Sequence, residues 1–127
     1  MQNLEKFDAL QIYKALYWDK IKGDQIKDQY LAEIIFDGQL QHGYNVKLLQ
    51  QSVNRLGEYN LAEDNKFGPN TLAGLNHYAQ YNPAVLYQSY KQRRKEYYLY
   101  LVDRTPTLDV FLDGWFNRIN SFQDYSV

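Results

Sequence analysis

No cysteine occurs among the 127 residues. Disulfides, thiol nucleophiles and cysteine-built zinc sites are excluded, and the chain fits a reducing compartment. No run approaches the roughly 20 apolar residues needed to span a bilayer, so no membrane insertion is expected. The opening stretch "MQNLEKFDALQIYKALYWDK" is amphipathic and charged throughout, without the basic segment and apolar run of a secretory signal peptide. Synthesis in the cytoplasm without a signal peptide, with release by some other means, is the expectation. Internal repeats, low-complexity tracts and Ser/Gly linkers are missing too, which leaves one domain over residues 1–127. A net charge of -1 supplies no basic excess for nucleic acid. The only two histidines, His42 and His77, lie far apart and outside any H-x-x-x-H pair, so no metal site is expected. Nucleotide-binding glycine loops and G-x-S-x-G turns do not occur, and no cofactor is implied.

What the chain does have is tyrosine: 13 residues, alongside 6 Phe and 2 Trp. Such rings suit ligands with a flat face and a polar edge, sugars among them. Their more common use is to sit half-buried around a small core with the hydroxyl outward.

Apolar spacing is helical almost everywhere. Ala9, Ile12, Tyr13 and Leu16 follow the i, i+3, i+4, i+7 pattern, as do Leu108, Phe111, Leu112 and Trp115, with Ile119 beyond. Leu31, Ile34, Ile35 and Gly38 form another face, and Val46, Leu49, Val53 and Leu56 a fourth. Asp24 or Asp28 is placed to cap the helix that Gly43 ends, and Gly57 stops the next. Asn82-Pro83 and Thr105-Pro106 each set a capping residue before a proline at the first helical position. In "DNKFGPNTL" (64–72), Pro69 opens a helix, Phe67 is placed to pack on Leu72, and Gly68 is expected to take a strained conformation. The pattern predicts a compact all-α domain of about six helices, at about 4–18, 28–41, 44–56, 69–80, 83–103 and 106–121, with a short extended piece possible only at 58–67.

Glycosidic cleavage uses two carboxyl groups, one kept protonated. Glu33 and Asp37 are four apart on one predicted helix, so their Cβ atoms lie about 5–6 Å apart. Side chains on one helix point the same way and do not flank a sugar. A bracing hydrogen bond is the better expectation for Asp37, which follows Ile34, Ile35 and Phe36. In "YKQRRKEYYLYL", Arg93, Arg94 and Lys95 beside Tyr97, Tyr98 and Tyr100 have the makings of a single-strand platform. Glu96 interrupts the stretch, and a solvated helix face is the better reading, with no nucleic-acid partner.

Four segments, in order, resemble glycoside hydrolase family 108, which includes phage-type N-acetylmuramidases and secretion activator proteins. "YKALYWDKIKGDQI" (13–26) is similar to the family's Y-x-x-x-YW-x-x-I segment. "IIFDGQLQHGYNVKLLQQSVNRLG" (34–57) resembles its F-D, small-residue helix, G and L-Q helix. "DNKFGPNTLAGL" (64–75) is similar to the D-G-x-[apolar]-G-P-x-T-L turn of peptidoglycan-binding modules. "FLDGWFNRI" (111–119) resembles the closing F-x-x-G-W-x-x-R helix. The match runs through nearly the whole chain and corresponds to the family's C-terminal predicted peptidoglycan-binding domain. Two departures stand out. Residues 1–27 resemble the lead-in from a catalytic half, and the family's catalytic Glu in an E-G-G stretch has no counterpart. Gln41 stands where Asn is frequent, and Asn65 where Gly is.

The resemblance implies a lysozyme-like helical module that recognises bacterial peptidoglycan without independent catalysis. Its action would be at the bacterial cell wall, after release by a holin-type partner. Tyr17, Trp18, Asp37, Gln41, Trp115 and Arg118 are the glycan-binding candidates it suggests. Trp18 and Trp115 also sit at core-like spacing, and Arg118 is placed to pair with Asp113 or Asp37. The alternative is an active muramidase with a displaced carboxylate, for which Glu33 and Glu58 are the weaker candidates.

Overall fold

A computed structural model describes residues 11–12 and 14–122. Among them the fold is all-α. Five α-helices run in order: α1 (Gln29–Gln41), α2 (Asn45–Arg55), α3 (Pro69–Tyr81), α4 (Pro83–Arg104) and α5 (Leu112–Asn120). A π-helical turn, Lys14–Trp18, and two short 3-10 turns precede α1, and a 3-10 segment, Pro106–Phe111, leads into α5. The helical segments from residue 29 onward fall where the apolar spacing predicts, whereas most of the expected 4–18 helix lies outside the described residues. Residues 59–63 are irregular loop and not a strand.

The α1 stripe is buried as expected: Leu31, Ile34 and Ile35 are fully enclosed, and Gly38 with them. Val46, Leu49 and Val53 of α2 meet that face, and Leu56 packs at its margin. From α4 come Leu86, Tyr87 and Tyr90, from α3 Leu75 and Tyr78, and from α5 Ile119. Ile21 joins them from the turn before α1. Each fully buried aliphatic side chain contributes about 1.5–3 kcal/mol, so this shared cluster is the main source of stability. The longest helix, α4, touches α2, α3 and α5 and serves as the spine.

Two stripes depart from expectation. Ile12 and Leu16 are more than half exposed, while Ala9 and Tyr13 lie outside the described residues. On the last stripe only Ile119 is buried, and Phe111 faces water. The chain there begins as a 3-10 segment, whose three-residue turn rotates Leu108 and Phe111 off the face that α5 presents.

The helix ends are instructive. Asp28 caps α1 by accepting the Leu31 N–H at 3.0 Å, whereas the Asp24 carboxylate accepts the Trp18 indole N–H at 2.8 Å. Prolines do open α3, α4 and the 3-10 segment, but neither Asn82 nor Thr105 makes a side-chain cap. Gly57 takes a left-handed φ of 93° after α2, while α1 stops at His42 in extended backbone without help from Gly43. Gly68 is extended, with no strain. The left-handed residue of that loop is Asn65, at φ 61°.

Candidate functional site

Two polar-aromatic stripes face each other between α2 and α4. Tyr44, Lys47, Leu48 and Gln51 recur at i, i+3, i+4, i+7 along α2, one step round from its core stripe. Arg93, Tyr97, Tyr100 and Leu101 recur at i, i+4, i+7, i+8 on α4, again one face of a helix. Together they line an open groove of about 410 Å³, within the range of small-ligand sites. Tyr44 and Tyr100 are more than half exposed, and Tyr97 is half-buried between them, its ring 6.1 Å from that of Tyr44. Arg93 Nε donates to Gln51 Oε1 at 2.7 Å, which fixes both side chains on the groove floor.

The aromatic surface continues beyond the groove. Tyr97 lies against His42 and Tyr98; Tyr98 stacks on Trp115 at 5.3 Å, and Trp115 stacks on Phe111 at 5.9 Å. An aromatic path thus runs from exposed Tyr44 to exposed Phe111. Stacked rings of this kind present flat apolar faces edged by hydroxyls.

The loop after α2 holds the N-terminal end of this wall in place. Asn65 Oδ1 accepts the Lys47 N–H at 2.9 Å, and its Nδ2 donates to the Gly43 carbonyl at 2.8 Å. Its own N–H donates to Gln50 Oε1 at 3.0 Å. Gln50, fully buried, reaches Asp64, the Lys66 carbonyl and Thr71 through Nε2. The Lys66 N–H and Gln50 amide hold the Asp64 carboxyl below its usual range. The "DNKFGPNT" stretch is therefore a clasp between α2 and α3, built by side chains on a left-handed asparagine.

Beneath the aromatic path lies a buried ion cluster. Asp37 of α1 is paired with Arg94 Nη1 at 3.1 Å and with Arg118 at 2.6 Å (Nη2) and 2.8 Å (Nε). Arg94 has no exposed surface, and it donates to the Tyr98 hydroxyl at 2.6 Å. Burial opposes its charge, but the Tyr90 and Tyr98 phenols and Asp37 outweigh this and hold its pKa above the usual arginine value. His42 sits alongside with neither ring nitrogen hydrogen-bonded. Burial and the Arg94 charge push its pKa down to about 4.

Residues 44–120 match the family described as Predicted Peptidoglycan domain. The chain belongs to that family. Residues 1–43 match Glycosyl hydrolase 108. No curated protein and no solved structure matches the chain. A peptidoglycan-binding domain joined to glycosyl hydrolase 108 sequence is a peptidoglycan-recognising module of a muramidase-like protein, with bacterial peptidoglycan as its partner and the cell wall as its place of action. Among the described residues, no helix is long and apolar enough to cross a membrane.

Both walls of the groove lie inside the peptidoglycan domain. Of the six residues singled out from sequence, the fold joins three: Asp37, Arg118 and, through Tyr98, Trp115. Asp37 is spent on two guanidiniums, which is the bracing role its neighbours foretold. Gln41 is exposed at the end of α1. Tyr17 and Trp18 belong to the turn before α1, where Trp18 packs edge-on to Phe36 at 5.5 Å and covers Gly23 too closely for a Cβ. Glu33 is exposed and accepts from Gln29 at 3.1 Å; Glu58 is exposed and lies 2.5 Å from His77. The Arg93–Lys95 stretch is not the solvated face expected, since Arg94 turns wholly inward and Arg93 binds across to α2. Sequence reasoning missed Tyr44, Lys47 and Gln51. Their i, i+3, i+7 spacing beside the core stripe was the available signal.

Proposed function

We propose that the peptidoglycan domain holds a glycan strand in the α2–α4 groove, with Tyr44, Tyr97 and Tyr100 against sugar faces and Lys47, Gln51 and Arg93 toward hydroxyl and acetamido groups. The observation that carries this is the groove itself: three tyrosines and three long polar side chains line one open cavity of about 410 Å³. Trp115 extends the aromatic surface along the strand. Asp37 and Arg118 hold the path in position from below, and Gln41, Tyr17 and Trp18 form an outlying margin. In this reading residues 1–127 act as one binding unit, hydrolysis belongs to a catalytic segment of the E-G-G type, and a holin-type partner gives a cytoplasmically made chain access to the wall.

Co-sedimentation with purified sacculi, run beside a turbidity assay, tests the reading. Retention without clearing is expected, and Tyr97→Ala with Tyr44→Ala should lower retention at least about tenfold, since each aromatic contact is worth about 1 kcal/mol. Failure of the unmutated protein to sediment, or full retention by the double variant, defeats it. Clearing that Glu33→Gln or Glu58→Gln abolishes would establish the displaced-acid enzyme instead.

A further inference from the structure

A second cavity adjoins the groove. It has a volume of about 360 Å³ and is lined by Gln51, Asn54, Arg55, Glu63 and Arg93. Gln51 and Arg93 line both cavities, so the two adjoin at this hydrogen-bonded pair. Their chemistry differs sharply. The groove offers three tyrosine rings; the annex has no aromatic or aliphatic lining residue, only amides and charges of both signs. A sugar face gains nothing in such a place, whereas a charged branch hanging from the sugar does.

The charges are arranged on opposite walls. Arg55 lies on α2 and forks onto Glu96 at 2.8 and 3.2 Å, with half its side chain still exposed. Arg93 approaches the same carboxylate at 3.6 Å. Burial and the neighbouring Arg55 charge hold the Arg93 pKa below its usual value, while Glu96 and Glu63 both act on the two guanidiniums in the opposite sense. Facing them from the loop, Glu63 is positioned by Gln51 at 3.3 Å and Asn54 at 3.1 Å. A ligand that brings a carboxylate to the arginines and an ammonium to Glu63 completes both sets. Peptidoglycan carries such a branch: the stem peptide on its N-acetylmuramic acid bears free carboxylates and a diamino acid.

We infer that the annex binds the stem peptide of peptidoglycan, with Arg55 and Arg93 on its carboxylates and Glu63 on the amino group of its diamino acid. The inference rests on the glycan strand occupying the neighbouring groove. The domain would then read substituted muramic acid and discriminate against bare chitin-like glycan.

The test is calorimetric titration of the whole chain with two ligands: the disaccharide N-acetylglucosaminyl-N-acetylmuramic acid, and the same disaccharide carrying a stem tripeptide ending in diaminopimelate. The stem should tighten binding about tenfold or more, as expected for charge-assisted hydrogen bonds. In Arg55→Gln and in Glu63→Gln the ratio of the two affinities should fall toward one. On the unmutated protein, amidation of the stem carboxyls should remove the same gain, which keeps the test independent of any variant's folding. Binding of the bare disaccharide with no gain from the stem overturns the inference and leaves the groove reading standing. A gain that survives amidation and both substitutions overturns it as well. Binding of neither ligand defeats both.

Discussion

Asp37→Leu removes the carboxylate that, among the described residues, neutralises a wholly buried arginine. Asp37 is 3% exposed and Arg94 0%. With Asp37 gone, Arg94 keeps the Tyr98 hydroxyl and a 3.5 Å approach to the Ile34 carbonyl, but no anion. Stranding a buried charge in this way costs about 3–5 kcal/mol. For a chain of this length that is roughly 10–20 °C in Tm. Arg118 differs, because about half of its side chain remains in water. Arg118→Ala should cost about 1 kcal/mol, in the range of exposed ion pairs. The decisive variant is the double one. Asp37→Leu with Arg94→Met replaces the pair by apolar side chains, and such replacements are frequently neutral or stabilising. Urea denaturation followed by circular dichroism, with the four stabilities arranged as a double-mutant cycle, reads the coupling. The double variant should recover at least half of the loss in Asp37→Leu. A single-variant cost under about 1 kcal/mol, or a double variant less stable than either single one, refutes the reasoning.

His42 provides a pH signature. Its folded pKa of about 4 lies below the unfolded value near 6.5, so the unfolded chain takes up the proton first. Stability is then full above pH 6.5 and falls by about 2–4 kcal/mol as pH drops toward 4. His42→Phe should flatten that window in a series of urea titrations. Asn65→Ala forces a left-handed φ on alanine and removes bonds to Lys47 and Gly43; about 2 kcal/mol should be lost, and Asn65→Gly should lose less because only the bonds go. Gly38→Ala sets a Cβ against the Tyr90 hydroxyl and Asn45 Oδ1. Overpacking there should cost about 1–3 kcal/mol in thermal denaturation.

The helices were legible because their evidence is local. Spacing such as Leu31–Ile34–Ile35 or Val46–Leu49–Val53 states both the element and the buried face. The prolines at 69, 83 and 106 mark helix starts for the same reason, since a missing N–H is tolerated only there. What is not local was missed. Nothing near Arg94 in sequence says that its partner is 57 residues away on α1, which is why a buried cation looked like part of a solvated face. The groove needs Tyr44 and Tyr97 to face one another across two helices, and neither stripe is distinctive alone. In the clasp, sequence pointed to Gly68 for the unusual backbone. Asn65 takes that role, because its amide can add the bonds to Lys47 and Gly43 that glycine cannot.

Asp37 and Arg94 stand on opposite sides of the junction at residues 43 and 44 where one family match gives way to the other. Asn45 crosses it again, donating to the Ile35 carbonyl and taking the Tyr90 hydroxyl. A chain started at Tyr44 would therefore expose the face vacated by Leu31, Ile34 and Ile35 and leave Arg94 without its carboxylate. The helix assigned to the hydrolase side travels with the binding side. A recombinant swap of wall-binding modules between muramidases would have to make its cut upstream of α1 to yield a soluble product.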